Sequence, residues 1–110
     1  MKKFIVGSII LLASISTSFA DEYFVTGQQF VNDHCDKNQV AANRYVVGIH
    51  DGFLAANSDN PKKQICSPNN VTAGQLTAVA CKYVREDPKS WNNPASYLII
   101  YSLILAWPCP

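Results

Sequence analysis

The chain has 110 residues, with nine Lys and Arg against eight Asp and Glu. So even a balance offers no basic footprint for nucleic acid or an anionic lipid surface. Its basic residues are also scattered, with no aromatic platform beside the Lys62-Lys63 pair.

Residues 1–20 read as a secretion signal. Met1, Lys2 and Lys3 make a positive start, Phe4 to Ile15 an apolar stretch, and Ser18-Phe19-Ala20 a small-residue cleavage site. An apolar helix of about twelve residues spans roughly 18 Å, short of the ~30 Å hydrocarbon core, so no stable membrane insertion is expected. Cleavage after Ala20 leaves residues 21–110 as one helical domain. Removing Lys2 and Lys3 leaves seven basic against eight acidic side chains, a formal charge of −1. The basic start and the composition look bacterial, which makes the periplasm the expected destination.

The remaining chain reads as an all-α fold of four to five helices. Thr26 is placed to cap a first helix running to about Asp36. From Gln39, apolar residues recur at spacings of three and four (Ala41-Ala42, Tyr45-Val46, Ile49, Phe53, Ala56), an amphipathic helix. Asn57-Ser58-Asp59-Asn60-Pro61 ends it and opens a polar connection to Asn70. Thr72-Ala73-Gly74-Gln75 has the form of a capping box, and Leu76, Val79-Ala80 and Tyr83-Val84 continue at helical period. Pro88 stops this third helix. Asn93 as cap and Pro94 at the first position then start a last helix to about Ala106. That helix is apolar nearly all round, more than a small domain buries easily, so part of its surface is expected to meet a second copy in a homodimer. A strand over Tyr97 to Leu105 is the alternative, disfavoured by the proline-started onset.

Four cysteines in a small exported chain read as two disulfides, with one disulfide and two free thiols, or a zinc site, as competing readings. No C-x-x-C supports zinc, and no metal is expected. The helix layout favours one pairing of the three. The helices at 73–86 and 94–106 should form an antiparallel hairpin, so Cys66 and Cys109 fall at one end of it. Cys81 lies about 12 Å along its helix, towards the other end. This favours Cys66–Cys109 with Cys35–Cys81; Cys35–Cys109 with Cys66–Cys81 is the alternative.

No catalytic site is expected. His50 and Asp51 are adjacent on a helix, where neighbours point about 100° apart, so an oriented dyad is not anticipated. His34 lies beside Cys35, a cysteine assigned to a disulfide. No nucleophile elbow, H-E-x-x-H, phosphate loop or dinucleotide fingerprint is present, so no cofactor is implied. Gly48 and Gly52 form a G-x-x-x-G inside an apolar helix. Each costs roughly 1 kcal/mol against alanine, so they are expected to form a notch for helix packing, within the chain or between copies.

Two connections are candidates for partner contact. The 57–70 connection is long for so small a domain and offers Asp59, Lys62 and Lys63. The 86–91 turn offers Glu86, Asp87, Lys89 and Trp91, the tryptophan serving either as a cap on the core or as a binding edge.

Four segments in order resemble one family. Tyr45-Val46-Val47-Gly48-Ile49-His50-Asp51-Gly52 is similar to Y-[IV]-x-G-[IV]-x-D-[GA]. Cys66-Ser67-Pro68-Asn69-Asn70-Val71-Thr72-Ala73-Gly74-Gln75-Leu76 resembles C-x-P-x-x-V-T-x-G-Q-L, the most specific of the four. Lys82 to Pro88 looks like K-Y-L-x-x-x-P, and Ala106-Trp107-Pro108-Cys109 like a closing [AF]-x-P-C. Together they resemble the Rap/Tai immunity proteins of type VI secretion over about Thr26 to Cys109. The resemblance implies a small helical periplasmic protein, commonly a homodimer, whose partner is a cognate peptidoglycan amidase effector that it binds and blocks. The chain departs from the pattern at Ala41-Ala42-Asn43-Arg44, where many members carry a cysteine, and at Cys81, usually apolar. This implies one rerouted disulfide. An acid-stress chaperone of the periplasm and a non-catalytic envelope module are the competing functions.

Overall fold

The computed structural model describes residues 24–62 and 64–110. The signal-peptide assignment and Lys63 lie outside the described residues. Among the described residues there are four helices and no strand.

Helix α1 begins at Gly27–Gln29 and continues as a π-helix over Phe30–Cys35. Thr26 and Gln29 cap it reciprocally: Thr26 Oγ1 accepts from Gln29 N–H at 3.2 Å, and Gln29 Oε1 accepts from Thr26 N–H at 2.9 Å. The α-helix expected throughout this stretch is thus replaced by wider winding after the first turn, seen in the Asp36 N–H bond to Val31 O at 3.0 Å. That winding brings Cys35 closer to the face on which Phe30 and Val31 are buried.

Helix α2 spans Gln39–Ala56 and is capped by Asn38, whose side chain accepts from Ala41 N–H. Helix α3 spans Ala73–Arg85, with the Thr72–Gln75 capping box formed in both directions at 3.1 and 2.8 Å. Pro88 keeps Asp87 out of helical geometry, at φ −125° and ψ 67°, and opens a short 3-10 turn, Pro88–Ser90. Helix α4 spans Ala95–Ala106. The expected Asn93 cap is not made. Pro94 is instead the capping residue, because the backbone there is drawn into an antiparallel bridge with Thr26. Ala95 N–H donates to Val25 O, while Gly27 N–H takes Asn93 O, both at 2.9 Å. The entry to α1 is thereby tied to the entry to α4.

Helix α3 packs between α2 and α4. The core between them holds Phe30, Val46, Ala80, Ile99 and Leu103, each fully excluded from solvent. Two hydroxyls are buried with them and are satisfied locally: Thr77 Oγ1 donates to Ala73 O and Ser102 Oγ to Ile99 O. One buried side-chain atom, His34 Nδ1, has no partner within the described structure; the ring packs in a triangle with those of Phe30 and Tyr45, centroids 6.0 and 5.4 Å away.

Both favoured disulfides are present, Cys35–Cys81 and Cys66–Cys109, with Cα atoms 5.9 and 5.0 Å apart. The first fastens α1 to α3. The second fastens the segment before α3 to the end of α4. Their loops of 46 and 43 residues correspond to about 4 kcal/mol each in the chain-entropy picture.

The Gly48/Gly52 notch within the chain is not formed. Both glycines are exposed, and a Cβ built on either meets nothing within 4 Å. The helical period places them on the solvent side of α2, opposite Ala42, Val46 and His50. Close packing falls on Gly27 instead, where a Cβ would stand 2.6 Å from Leu98 Cδ1 and 3.1 Å from Trp91 Cα.

Candidate functional site

The connection from α2 to α3 has two parts of different construction. The first continues from the helix end, where Asn57 closes on Phe53 O with both its backbone N–H and its side-chain amide. Asn60 N–H then returns to Asn57 O, and Lys62 N–H to Asn60 Oδ1 at 2.9 Å. These bonds are all local. Asp59 and Lys62 are exposed on this tip, which with Cys109 and Pro110 borders an open recess of about 700 Å³.

The second part is held by distant groups. Ile65 is 3% exposed and belongs to the core. Cys66 is bonded to Cys109, and its N–H donates to Trp107 O at 2.8 Å. Ser67 Oγ lies 3.3 Å from Nε2 of the buried His50. Between this part and the end of α2 runs a groove of about 620 Å³, lined by His50, Phe53, Leu54, Ile65, Ser67 and Val71 among others.

The His50 ring makes a second contact. Its Nδ1 is 3.0 Å from Asp51 Oδ1, so the adjacent pair does meet, contrary to the expectation from helical spacing. The exposed Asp51 side chain is free to fold back along the helix surface. With a carboxylate on Nδ1, that nitrogen carries the proton, and Nε2 accepts from the Ser67 hydroxyl. The connectivity is that of a hydrolytic relay, but the carboxylate is 70% exposed. Water competes there with any imidazolium it would stabilise, unlike the buried acid of a working triad. What the arrangement does is pin the connection to α2.

The 86–91 turn is shorter and more closely bound. Ser90 Oγ donates to Asp87 Oδ2 at 2.7 Å, and Lys89 Nζ stands 3.8 Å from Asp87 Oδ1. Glu86 and Lys89 are exposed. Trp91 is partly buried against the core and its Nε1–H donates to Val84 O at 2.6 Å, so its indole caps α3 from below. The two candidate connections follow different helices, and the described contacts do not bring their side chains together. Among the described residues no group of three or more His, Cys, Asp or Glu is placed to hold a metal ion.

The family model for Rap1a immunity proteins matches residues 26–109. The chain belongs to the Rap1a immunity protein family. As a Rap1a-type immunity protein it acts against a secreted effector. Proteins of this family are generally non-catalytic. The two disulfides and the Rap1a family point to an extracellular or periplasmic protein, and no described helix is long and apolar enough to cross a membrane. No curated protein sequence and no solved structure matches the chain.

Sequence reasoning missed the His50–Ser67 contact and the tight position of Gly27. The first joins positions 17 residues apart and carries no spacing signal. The second has a faint one, a glycine just after a capping threonine.

Proposed function

We propose that this chain is a periplasmic immunity protein, exported by cleavage after Ala20, that binds and inhibits a type VI secreted peptidoglycan amidase. The observation that carries the reading is the stapled α2–α3 connection in a chain of this family. An inhibitor needs no chemistry of its own. It needs a surface already shaped for an enzyme cleft, since ordering a loop on binding costs affinity. A homodimer is part of the same proposal, supported by the exposed Tyr97, Tyr101 and Leu105 along α4.

The chain should abolish hydrolysis of peptidoglycan peptides by an amidase that it captures from a bacterial extract at neutral pH. Capture of many unfolded clients only on acidification would favour the chaperone reading instead. Asp59, Lys62 and Lys63 on the long connection, and Glu86, Asp87, Lys89 and Trp91 on the turn, are the candidate contacts. A loss of about 2 kcal/mol or more of affinity with unchanged melting, on triple alanine substitution at Asp59, Lys62 and Lys63 or at Glu86, Asp87 and Lys89, would mark that group as a contact surface. Losses below about 0.5 kcal/mol for both triples would move the binding surface off these groups.

A further inference from the structure

Resting on the immunity reading, we infer that the edge offered to the enzyme is the clamped half of the connection, Gln64 to Asn69, and that His50 is the residue that positions it. Gln64, Pro68 and Asn69 are exposed, yet the backbone that carries them is held from four directions. Ile65 is anchored in the core, Cys66 is bonded to Cys109, Cys66 N–H is paired with Trp107 O, and Ser67 is held by His50. Among the described residues the tip at 58–62 shows only local bonds, so ordering its side chains falls to the moment a partner arrives.

The exposed groups also suit the target. A cleft that cleaves peptidoglycan peptides must hydrogen-bond amides. The carboxamides of Gln64 and Asn69 present the same pairing of donor and acceptor. Pro68, with φ fixed by its ring, stands between them and removes one further freedom. His50 touches no partner in this arrangement. It is 8% exposed, with Asp51 setting its Nδ1 tautomer so that Nε2 faces the Ser67 hydroxyl. The disulfide ties the connection to the segment after α4, and the His50 contact fixes its distance from α2.

The probe is the peptidoglycan amidase captured by the wild-type chain. Gln64→Ala with Asn69→Ala should weaken its binding about 30-fold or more, whereas the Asp59, Lys62 and Lys63 triple should change it less. His50→Ala and Ser67→Ala should each weaken binding about 10-fold, because the competent arrangement is then only partly populated. Together they should cost little more than either alone, the mark of one shared contact. His50→Gln, able to accept from Ser67, should recover part of the loss. Amide exchange at 65–71 should quicken in both single variants while exchange in the α3 core stays slow. A tip triple more damaging than the Gln64/Asn69 pair overturns the inference, as does Ser67→Ala binding within about 2-fold of wild type. If the wild type captures no amidase, the immunity reading falls with it. If it does and the Gln64/Asn69 pair is neutral, this inference alone falls.

Discussion

Gly27 and Leu98 meet so closely that a Cβ on Gly27 would lie 2.6 Å from Leu98 Cδ1, and 3.1 Å from Trp91 Cα. The leucine tip can rotate, but the backbone cannot give way without disturbing the Gln28 N–H bond to Trp91 O. Gly27→Ala should therefore destabilise the chain by about 1–3 kcal/mol. Gly48→Ala and Gly52→Ala meet open space and remove a poor helix former, so each should stabilise the folded chain by up to ~1 kcal/mol. Urea unfolding with the disulfides intact measures all three. A stabilising Gly27→Ala would show that the α1–α4 junction is loose.

Replacing Cys35 and Cys81 together with serine should cost about 4 kcal/mol before relaxation, comparable with the whole stability of so small a domain. The Cys66/Cys109 pair should cost a similar amount, but its loss should also free the connection before α3. Non-reducing peptide mapping must recover 35 with 81 and 66 with 109; any 35–109 peptide contradicts the pairing.

Trp91→Phe keeps most of the ring in place and deletes the indole donor to Val84 O. Val84 O keeps the bond from Asp87 N–H at 3.2 Å, so only one net hydrogen bond is lost and the expected cost is about 0.5–1.5 kcal/mol. Thermal melts followed by circular dichroism test this, and an unchanged midpoint would make Trp91 an ornament of the turn.

Burial raises the Tyr45 phenol above its ordinary value of 10.0. The folded chain holds that proton to higher pH than the unfolded chain does. The corresponding stability is complete below about pH 10 and is lost as pH rises through the raised value. An alkaline absorbance titration should show a step above pH 10 that Tyr45→Phe removes. If Tyr45→Phe removes absorbance only at or below pH 10, the shift is refuted.

Light scattering on the oxidised chain lacking residues 1–20 should give about twice the mass of one copy, as expected for an isologous pair. Tyr101 and Leu105 are 62% and 46% exposed on α4 and flank a recess of about 170 Å³ shared with Tyr83. Tyr101→Glu with Leu105→Glu should yield a folded monomer. A monomeric wild type would end the dimer proposal.

Helix identity and order follow from local chemistry. Thr72 and Gln75 can satisfy each other only at a helix start, Pro88 cannot continue one, and the period from Ala41 to Ala56 has one apolar side. The disulfide pairing was legible for a related reason, since an antiparallel hairpin puts Cys66 and Cys109 at one end whatever its side chains do. Other features belong to contacts between segments far apart in sequence. Whether Gly48 or Gly27 is crowded depends on which side of its helix a neighbour occupies, and periodicity cannot place the neighbour. Asn93 lost its cap to Pro94 because Thr26 pairs with that backbone from 68 residues away. His50 found Ser67 because α2 and the staple at Cys66 carry them to one place. Short-range sterics and hydrogen bonds are written in adjacent residues, whereas these meetings exist only once the helices have packed.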